Sequence, residues 1–257
     1  LSAFWFERTR DVAPNHLLDV LDPGVMVARA CQPFAVEFVV RGYLTGSLWR
    51  DYEKGQRSAY GRALADGMRR DERFDAPWVT PSTKAPLGEH DAPITPEEVV
   101  GRGLMTQREW GRAREMALAV FNEGQRWAHS RGLILVDTKY EFGKVGGELL
   151  LIDEVHTPDS SRYWVAEGSR ERFERGESQR MLDKENIRQW LIAERGFQGH
   201  GTAPEIPDDV RVDLADKYLA AFQQITGAPL PLRVGDARER TLASLRAKGL
   251  IPDSSRA

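Results

Sequence analysis

The stretch Leu133–Trp164, LILVDTKYEFGKVGGELLLIDEVHTPDSSRYW, decides the fold of this chain. It opens with a short apolar run of the length and composition expected for a buried strand. Side chains alternate along a strand, so Asp137, Lys139 and Glu141 share one face, and the residues between them share the other. Gly146-Gly147 is a turn signal, and the apolar residues after it predict a returning strand. The stretch therefore predicts a β-hairpin that carries acids and a lysine on one face.

The length of the turn decides whether two acids of this hairpin can act together. Directly opposed residues of an antiparallel pair point to the same face, so Glu141 and Asp153 can share a cation only if they are paired or two residues apart. A strict two-residue loop would place Glu141 opposite Ile152 and separate the two acids. We therefore expect a loop of three or five residues around the glycine pair, and we expect Glu141 and Asp153 to meet.

The charges of this hairpin need partners. Strand neighbours two apart lie roughly 6.5–7 Å from each other, so Lys139 alone cannot neutralise both flanking acids. A divalent cation and an anionic ligand would complete the set. The other interpretation is a half-exposed hairpin whose charges are solvated, and the polar segment Thr157–Arg162 that follows favours a binding site instead.

Three motifs, in this order along the chain, resemble the signatures of the SAICAR synthetases (phosphoribosylaminoimidazole-succinocarboxamide synthases) of purine biosynthesis. They are VEFVVRGYLTGS at Val36–Ser47, TPSTK at Thr80–Lys84 continuing to Gly88–Asp91, and DTKYEFG at Asp137–Gly143 followed by IDEVHTPDSSRYW at Ile152–Trp164. The resemblance extends over roughly residues 1–227. It implies an α+β, two-lobed fold with a kinase-like or ATP-grasp-like arrangement, in which antiparallel sheets are flanked by helices.

The resemblance also divides the chain. It implies that residues 1–36 are a remnant of the nucleotide-binding lobe and hinge, that residues 37–228 form the substrate-binding and catalytic lobe, and that residues 229–257 are an appendage. Family members carry a glycine-rich nucleotide-binding loop ahead of the position of Leu1, so we expect this chain to have a truncated N-terminal lobe. The appendage is one candidate for an oligomer contact.

Periodicity and turn signals assign the rest of the chain. The predicted helices are Leu1–Leu21 with a break at Pro14, a helix capped by Thr95, Gln107–Arg131, Val210–Ile225 and Ala237–Lys248. Two strands, Val25–Ala30 and Phe34–Val40, are predicted to form a hairpin joined at Gln32-Pro33. Asp71–Pro77 is predicted to be a loop, and Thr80–Asp91 an ordered functional loop or a connection.

Composition limits the classes of function. The 257 residues carry a net charge of −3, so no overall positive field favours nucleic acid. One cysteine, Cys31, excludes an internal disulfide framework and is typical of a reducing compartment. We expect it to be a buried structural thiol rather than a nucleophile. With neither a membrane-length apolar run nor a secretory signal, we expect a cytoplasmic protein with no membrane or nucleic-acid partner, and homo-oligomeric assembly stays open.

The resemblance implies a reaction and its cofactors. ATP phosphorylates the carboxylate of carboxyaminoimidazole ribonucleotide (CAIR), and the amine of L-aspartate then displaces phosphate to give SAICAR; Mg²⁺ assists. An alternative is a catalytically impaired fragment, or a ribonucleotide-binding module without a complete ATP site. A third interpretation, a related small-molecule or inositol-phosphate kinase, is disfavoured by the motifs at Arg41–Tyr43 and Thr157–Arg162.

The resemblance and the residue chemistry together assign roles. Lys139 is the predicted catalytic residue and would stabilise the carboxylate under attack or the transferring phosphoryl group, while Asp137 would orient Lys139 or a substrate hydroxyl. Glu141 and Asp153 are the predicted Mg²⁺ ligands, and with Glu37 they are the predicted cofactor-binding residues. The predicted substrate-binding residues are Arg41, Ser47, Lys84, His90, Asp91, Arg162, Lys184 and Arg188. For Lys184 and Arg188, a salt-bridged surface helix is the other interpretation.

Overall fold

The computed structural model describes residues 1–84, 91–153, 155–182, 185–197 and 201–252. The helices are α1 Ser2–Arg8, α2 Gly46–Glu53, α3 Pro96–Gly101, α4 Gln107–Ser130, α5 Ser169–Arg175, α6 Glu185–Arg195, α7 Asp208–Thr226 and α8 Ala237–Ala247. The strands are β1 Leu17–Asp22, β2 Val25–Ala28, β3 Gln32–Leu44, β4 Ser58–Ala59, β5 Arg62–Ala63, β6 Glu72–Thr83, β7 Leu133–Val145, β8 Glu148–Asp153 and β9 Arg162–Val165.

A five-stranded antiparallel sheet is the centre of the fold. Its strand order is β6-β3-β7-β8, and β9 pairs with β7 beyond the part that β8 covers. The long helix α4 packs on one face of this sheet and buries an apolar stripe there. Phe38 of β3 stacks on Trp110 of α4 at 4.9 Å between ring centroids, and Phe142 of β7 meets Phe38 edge-on at 5.0 Å. The predicted α+β class is confirmed.

The ends of the helices on the apolar side were predictable from their caps. Thr95 and Thr106 each accept a hydrogen bond from the backbone N–H three residues on, and the glutamate at that position returns one, which closes a capping box at α3 and at α4. Gly132, with φ +70°, follows the end of α4 in the left-handed conformation that glycine adopts without strain.

The prediction for the first thirty residues is partly wrong. Helix α1 ends at Arg8, and Leu17–Asp22 is a strand that pairs with β2 around the turn Pro23-Gly24. The predicted hairpin of Val25–Ala30 with Phe34–Val40 is also wrong, because β2 pairs with β1 whereas β3 lies between β6 and β7. Apolar residues that are spaced unevenly in a short strand imitate helical spacing.

The predicted loop at Asp71–Pro77 is wrong as well. Strand β6 runs from Glu72 to Thr83 and contains Pro77 and Pro81. Proline removes a backbone donor and argues against a central strand, but β6 is an edge strand of the sheet and tolerates it. The outcome matters for the site, because Thr80 and Ser82 are thereby strand residues beside β3.

The described part of the C-terminal segment folds back onto the first hairpin. Helix α8 packs on β1, and just beyond it Lys248 Nζ lies 2.6 Å from Asp19 Oδ2. Strand β3 runs through position 36, where the sequence suggested a boundary. The division into residues 1–36, 37–228 and 229–257 stays a prediction. No helix in the described ranges has both the length and the apolar character needed to cross a bilayer.

Candidate active site

The β7–β8 hairpin closes more tightly than predicted, yet the two acids meet. Gly146 and Gly147 form a strict two-residue turn with φ +58° and +84°, because Val145 pairs directly with Glu148, so the predicted longer loop is wrong. The register then shifts by one residue, from Phe142 opposite Leu151 to Glu141 opposite Asp153. This β-bulge leaves Ile152 as the extra residue and places Asp153 directly across from Glu141.

Strand register arranges the polar face of the sheet, on the side opposite α4, in three rows. The acidic row joins Ser82, Glu37, Glu141 and Asp153; the middle row joins Thr80, Val39 and Lys139; the basic row joins Trp78, Arg41, Asp137 and Arg162. Rows two residues apart are separated by about 6.5–7 Å, so the acidic and basic rows lie roughly 13 Å apart. Lys139 is in the row between them.

The acidic row holds its carboxylates close to two lysines. Glu37 and Glu141 are each 8 % exposed, and Lys84 Nζ donates to Glu141 Oε2 at 2.5 Å. Burial lowers the pKa of Lys84, but the hydrogen bond to Glu141 and the charges of Glu141, Asp153 and Glu37 outweigh burial and raise it. Lys84 therefore stays an ammonium group that lies in the field of all three acids.

Lys139 bridges toward the acidic row. Its Nζ donates to Glu37 Oε1 at 2.9 Å, and Ser82 Oγ donates to Glu37 Oε2 at 3.2 Å. Asp137 instead takes part in the basic row, where its Oδ2 accepts from Arg162 Nη1 and lies 3.7 Å from Arg41 Nη1. The described contacts thus pair Lys139 with Glu37, and Asp137 with the two arginines.

Arg41 is buried at 6 % exposure and is held from several sides. Its Nε donates to Thr80 Oγ1 at 3.0 Å, and Thr80 Oγ1 in turn donates to the carbonyl of Val39 at 3.0 Å. Its Nη2 lies 3.4 Å from Ser47 Oγ at the start of α2. A guanidinium fixed in this way presents its remaining N–H groups to an anion with little loss of side-chain entropy.

Arg162 lies against the backbone of Gly46. A Cβ atom at Gly46 would be 2.7 Å from both terminal nitrogens of Arg162, and Gly46 has φ +62°. Asp71 is buried nearby at 6 % exposure. Burial raises the pKa of Asp71, whereas the hydrogen bond from Thr45 and the charges of Arg70 and Arg162 lower it by a smaller amount. Close approach of the guanidinium therefore depends on the missing side chain at Gly46.

A cavity of about 250 Å³ opens between the basic row, α2, the loop before β9 and α6. It is lined by Val39, Arg41, Ser47, Arg50, Asp137, Thr138, Lys139, Asp159, Ser160, Ser161, Arg162 and Arg188. Five of these side chains are basic and two are acidic, which suits a ligand with negative charge. Hydroxyl groups on the cavity wall are linked in turn, since Thr138 Oγ1 and Ser161 Oγ lie 2.7 Å apart and Ser161 Oγ and Ser160 Oγ 3.2 Å apart.

The structure brings most predicted site residues to this face. Arg41, Ser47, Asp137, Lys139, Arg162 and Arg188 line the cavity, and Glu37, Lys84, Glu141 and Asp153 gather at the acidic row. Asp91 reaches the same end of β6 as Lys84, because the backbone N–H of Thr83 donates to the carbonyl of Ala92 at 2.9 Å. Two further predictions, His90 and Lys184, lie outside the described residues.

Sequence reasoning did not assign a role to several contributors, among them Arg50, Thr80 and Ser82. Arg50 lines the cavity three residues after Ser47, a spacing that places both on one face of a helix and could have revealed it. Thr80 and Ser82 were hidden by the prolines of β6, although their alternation follows the strand period.

The acidic row fits Mg²⁺ by the chemistry of its donors. Among the residues that the structure describes, no three His, Cys, Asp or Glu side chains converge closely enough to hold a metal by themselves. Mg²⁺ prefers oxygen ligands and is commonly held by one or two carboxylates together with substrate phosphates. The opposed pair Glu141 and Asp153 offers such a set.

Comparison with known proteins agrees with this geometry. The family model for SAICAR synthetase matches residues 1–203. A phosphoribosylaminoimidazole-succinocarboxamide synthase from Bacteroides thetaiotaomicron is 47 % identical over 229 residues, and one from Legionella pneumophila is 44 % identical over 231 residues. In both cases the match covers 88 % of this chain and 73 % of the relative.

A solved structure resembles the fold as well. The SAICAR synthase from Saccharomyces cerevisiae, in complex with SAICAR, superposes with a TM-score of 0.74 at 29 % identity and covers 90 % of this chain and 80 % of that one. The matched segment includes the whole polar face described above. The chain belongs to the SAICAR synthetase family, the ATP-dependent ligases that join L-aspartate to CAIR in purine biosynthesis.

Proposed function

We propose that the polar face of the central sheet is where this chain forms SAICAR, with ATP and Mg²⁺ at the acidic row and CAIR in the basic cavity. The observation that supports this proposal most directly is the strand register. It places Lys139 in the row between the acidic row, which contains Glu141, and the basic row, which contains Arg41. Two anionic ligands bound at the two ends would meet near Lys139.

The acidic row would hold the cation. Glu141 and Asp153 would be the ligands, with Glu37 beside them, and the bound ion would neutralise charge on the ATP phosphates. Lys84, now paired with Glu141, is placed to contact the same phosphates. The predicted roles of His90 and Asp91 belong to the same proposal.

The basic cavity would hold CAIR. Arg41 and Arg162 can each grip an oxyanion through two N–H groups, while Ser47 adds a hydroxyl group. Arg188 from α6 would close the cavity, and Lys184 is proposed to contact the ribonucleotide as well. Asp137 has both arginines as partners, so it would fix their direction and leave their outer N–H groups to the ligand.

The reaction of the family would then take place along this face. A carboxylate oxygen of CAIR attacks the γ-phosphorus of ATP, the bond to ADP breaks, and an acyl phosphate forms. The amine of L-aspartate attacks the acyl carbon, phosphate leaves, and the amide forms with loss of a proton. Lys139 would offset the negative charge that develops on the oxygens of both steps, in a site partly shielded from water.

A coupled assay tests the proposal. Sustained ADP release over many turnovers should require CAIR and L-aspartate together, and the product should be SAICAR by mass spectrometry. CAIR binding without turnover would instead support the alternative of a ribonucleotide-binding module, which the similarity to catalytically named relatives does not favour. Sustained ADP release without L-aspartate, with a stable phosphorylated product, would point to a kinase. A cytoplasmic location and homo-oligomeric assembly stay predictions.

A further inference from the structure

A buried histidine lies directly behind the proposed active site. His156 is fully buried and comes three residues after Asp153 and six before Arg162, two residues to which the proposed function gives ligand contacts. Its φ of +54° is in the left-handed region, which is uncommon for a residue with a side chain. A strained conformation persists only where the surroundings fix it, so the contacts of His156 are informative.

The contacts of His156 connect three elements. Its Nε2 shares a hydrogen bond with the hydroxyl group of Tyr140, which lies between Lys139 and Glu141 on β7 and points to the opposite face. The Tyr163 hydroxyl group donates to the His156 carbonyl at 2.8 Å. The ring of His156 thus ties the segment 155–161 to the strand that carries Lys139, and its backbone carbonyl ties the segment to the strand that begins with Arg162.

Packing fixes the ring in one position. Trp5 meets it edge-on at 4.4 Å between centroids, and a Cβ atom at Gly124 of α4 would overlap it. Nδ1 has no hydrogen-bond partner among the residues that the structure describes, and burial lowers the pKa of His156 to about 3. The ring is therefore neutral at physiological pH, and it cannot act as an acid or base toward a ligand on the far side of the sheet.

We infer that His156 is a positioning residue, which fixes the segment 155–161 against the back of β7 and so sets the distance from Lys139 to the groups that bind the cation and CAIR. The inference rests on the proposed function. The proposed function gives His156 no ligand contact. The bond of its ring to Tyr140 and the bond of its backbone carbonyl to Tyr163 carry the inference.

The first test measures the anchor without any ligand. Tyr140→Phe removes only the hydroxyl group that bonds to His156, and His156→Asn keeps a residue that tolerates positive φ but shortens the reach to Tyr140. In both variants, hydrogen exchange of the segment 155–162 should accelerate at least about tenfold, while exchange in α4 stays unchanged. Unchanged hydrogen exchange in the segment would show that His156 does not fix it against β7.

The second test asks whether the anchor acts through Arg162. Tyr140→Phe should weaken CAIR binding about tenfold by calorimetry, and less than about twofold when Arg162→Gln is already present, since coupled residues are not additive. Equal fold-changes in both backgrounds would mean a general loss of stability and would overturn the inference. Phe142→Leu, two residues along on the same face, is the matched control, and it should leave CAIR affinity within about twofold.

The two proposals fail in different ways. If the wild-type chain does not bind CAIR, the proposed function is wrong. If it binds CAIR but Tyr140→Phe and His156→Asn leave both exchange and affinity unchanged, the proposed function stands and the role of His156 is wrong. Should His156→Asn fail to fold, Tyr140→Phe alone decides, because it removes one oxygen atom and creates no large cavity.

Discussion

The two faces of strand β7 share one backbone and have opposite chemistry. On one face, Asp137 and Glu141 are nearly buried and their carboxylates are paired with basic side chains. On the other face, Tyr140 and Phe142 are fully buried against the core. The first face keeps its charges because each has a partner and a route to solvent, whereas the second keeps polar atoms only as neutral hydrogen-bonded groups.

The comparison teaches that register is the critical property of this site. A slip of one residue would send Lys139 into the core and Tyr140 into the cavity, because the side-chain period of a strand is two. The bulge at Ile152 is itself a shift of one residue, and this shift places Asp153 on the polar face. Substitutions on the two faces should therefore affect different measurements.

Lys139→Ala should give the largest effect, and it should be an effect on catalysis. Removing the only lysine in the middle row of the described face should reduce kcat about 10⁴-fold, which corresponds to roughly 5.5 kcal/mol of transition-state stabilisation. Thermal unfolding should change little, because this side chain is partly exposed. Lys144→Ala on the same strand, which removes the ion pair with Glu109, is the control and should retain kcat. Wild-type turnover in Lys139→Ala would refute the proposed role.

Phe142→Ala should give the opposite result. The ring is fully buried against Phe38, so its removal should lower the free energy of unfolding by about 3–5 kcal/mol through lost burial and a cavity. Turnover per folded molecule should stay within about twofold when the assay is run well below the unfolding temperature. Urea denaturation and active-site titration measure the two quantities separately, and a large fall in kcat per folded molecule would contradict the division between the faces.

Lowering the pH should destabilise the buried face through His156. Burial lowers its pKa to about 3 in the folded chain, while an unfolded histidine titrates near 6.5. Below pH 6.5 the unfolded chain binds a proton at this histidine that the folded chain does not bind. The free energy of unfolding is therefore highest above pH 6.5 and decreases as the pH falls from 6.5 toward 3. Between pH 8 and pH 5, this group alone should lower the free energy of unfolding by about 2 kcal/mol.

Urea denaturation of wild type and His156→Asn at both pH values isolates that contribution. Carboxylates titrate in both proteins, so only the difference between the two pH dependences belongs to His156. The variant should lose about 2 kcal/mol less than wild type over this range. Equal losses would show that His156 takes up no extra proton on unfolding.

Much of this arrangement could be predicted from the sequence, because alternation and capping are local properties. The period of two placed Asp137, Lys139 and Glu141 on one face, and the Thr95 cap marked the start of α3. The family motifs supplied the residues of the cavity, including Arg41 and Ser47.

The remainder depended on contacts between distant segments. The pairing of Glu141 with Asp153 was expected, but its cause was not, since a bulge at Ile152 is a tertiary adjustment to a two-residue turn. The edge position of β6, which makes Pro77 and Pro81 acceptable in a strand, is a property of the whole sheet. The burial of His156 behind the site follows from α1 and α4 packing on it, and no local pattern shows this.

Gly46→Ala should give the smallest of the four effects and should act on CAIR binding. Alanine at φ +62° is strained, and its Cβ would lie 2.7 Å from the terminal nitrogens of Arg162, so the guanidinium must move away from Asp137 and the cavity. We expect the Kd for CAIR to rise about tenfold, close to 1.4 kcal/mol, with KM for ATP nearly unchanged. Gly67→Ala is the matched control, because Gly67 has φ +79° but no heavy atom within 4 Å of its Cβ position. It carries the same kind of backbone strain without the contact, so an equal rise in Kd in both variants would mean that strain, and not the displacement of Arg162, weakens binding.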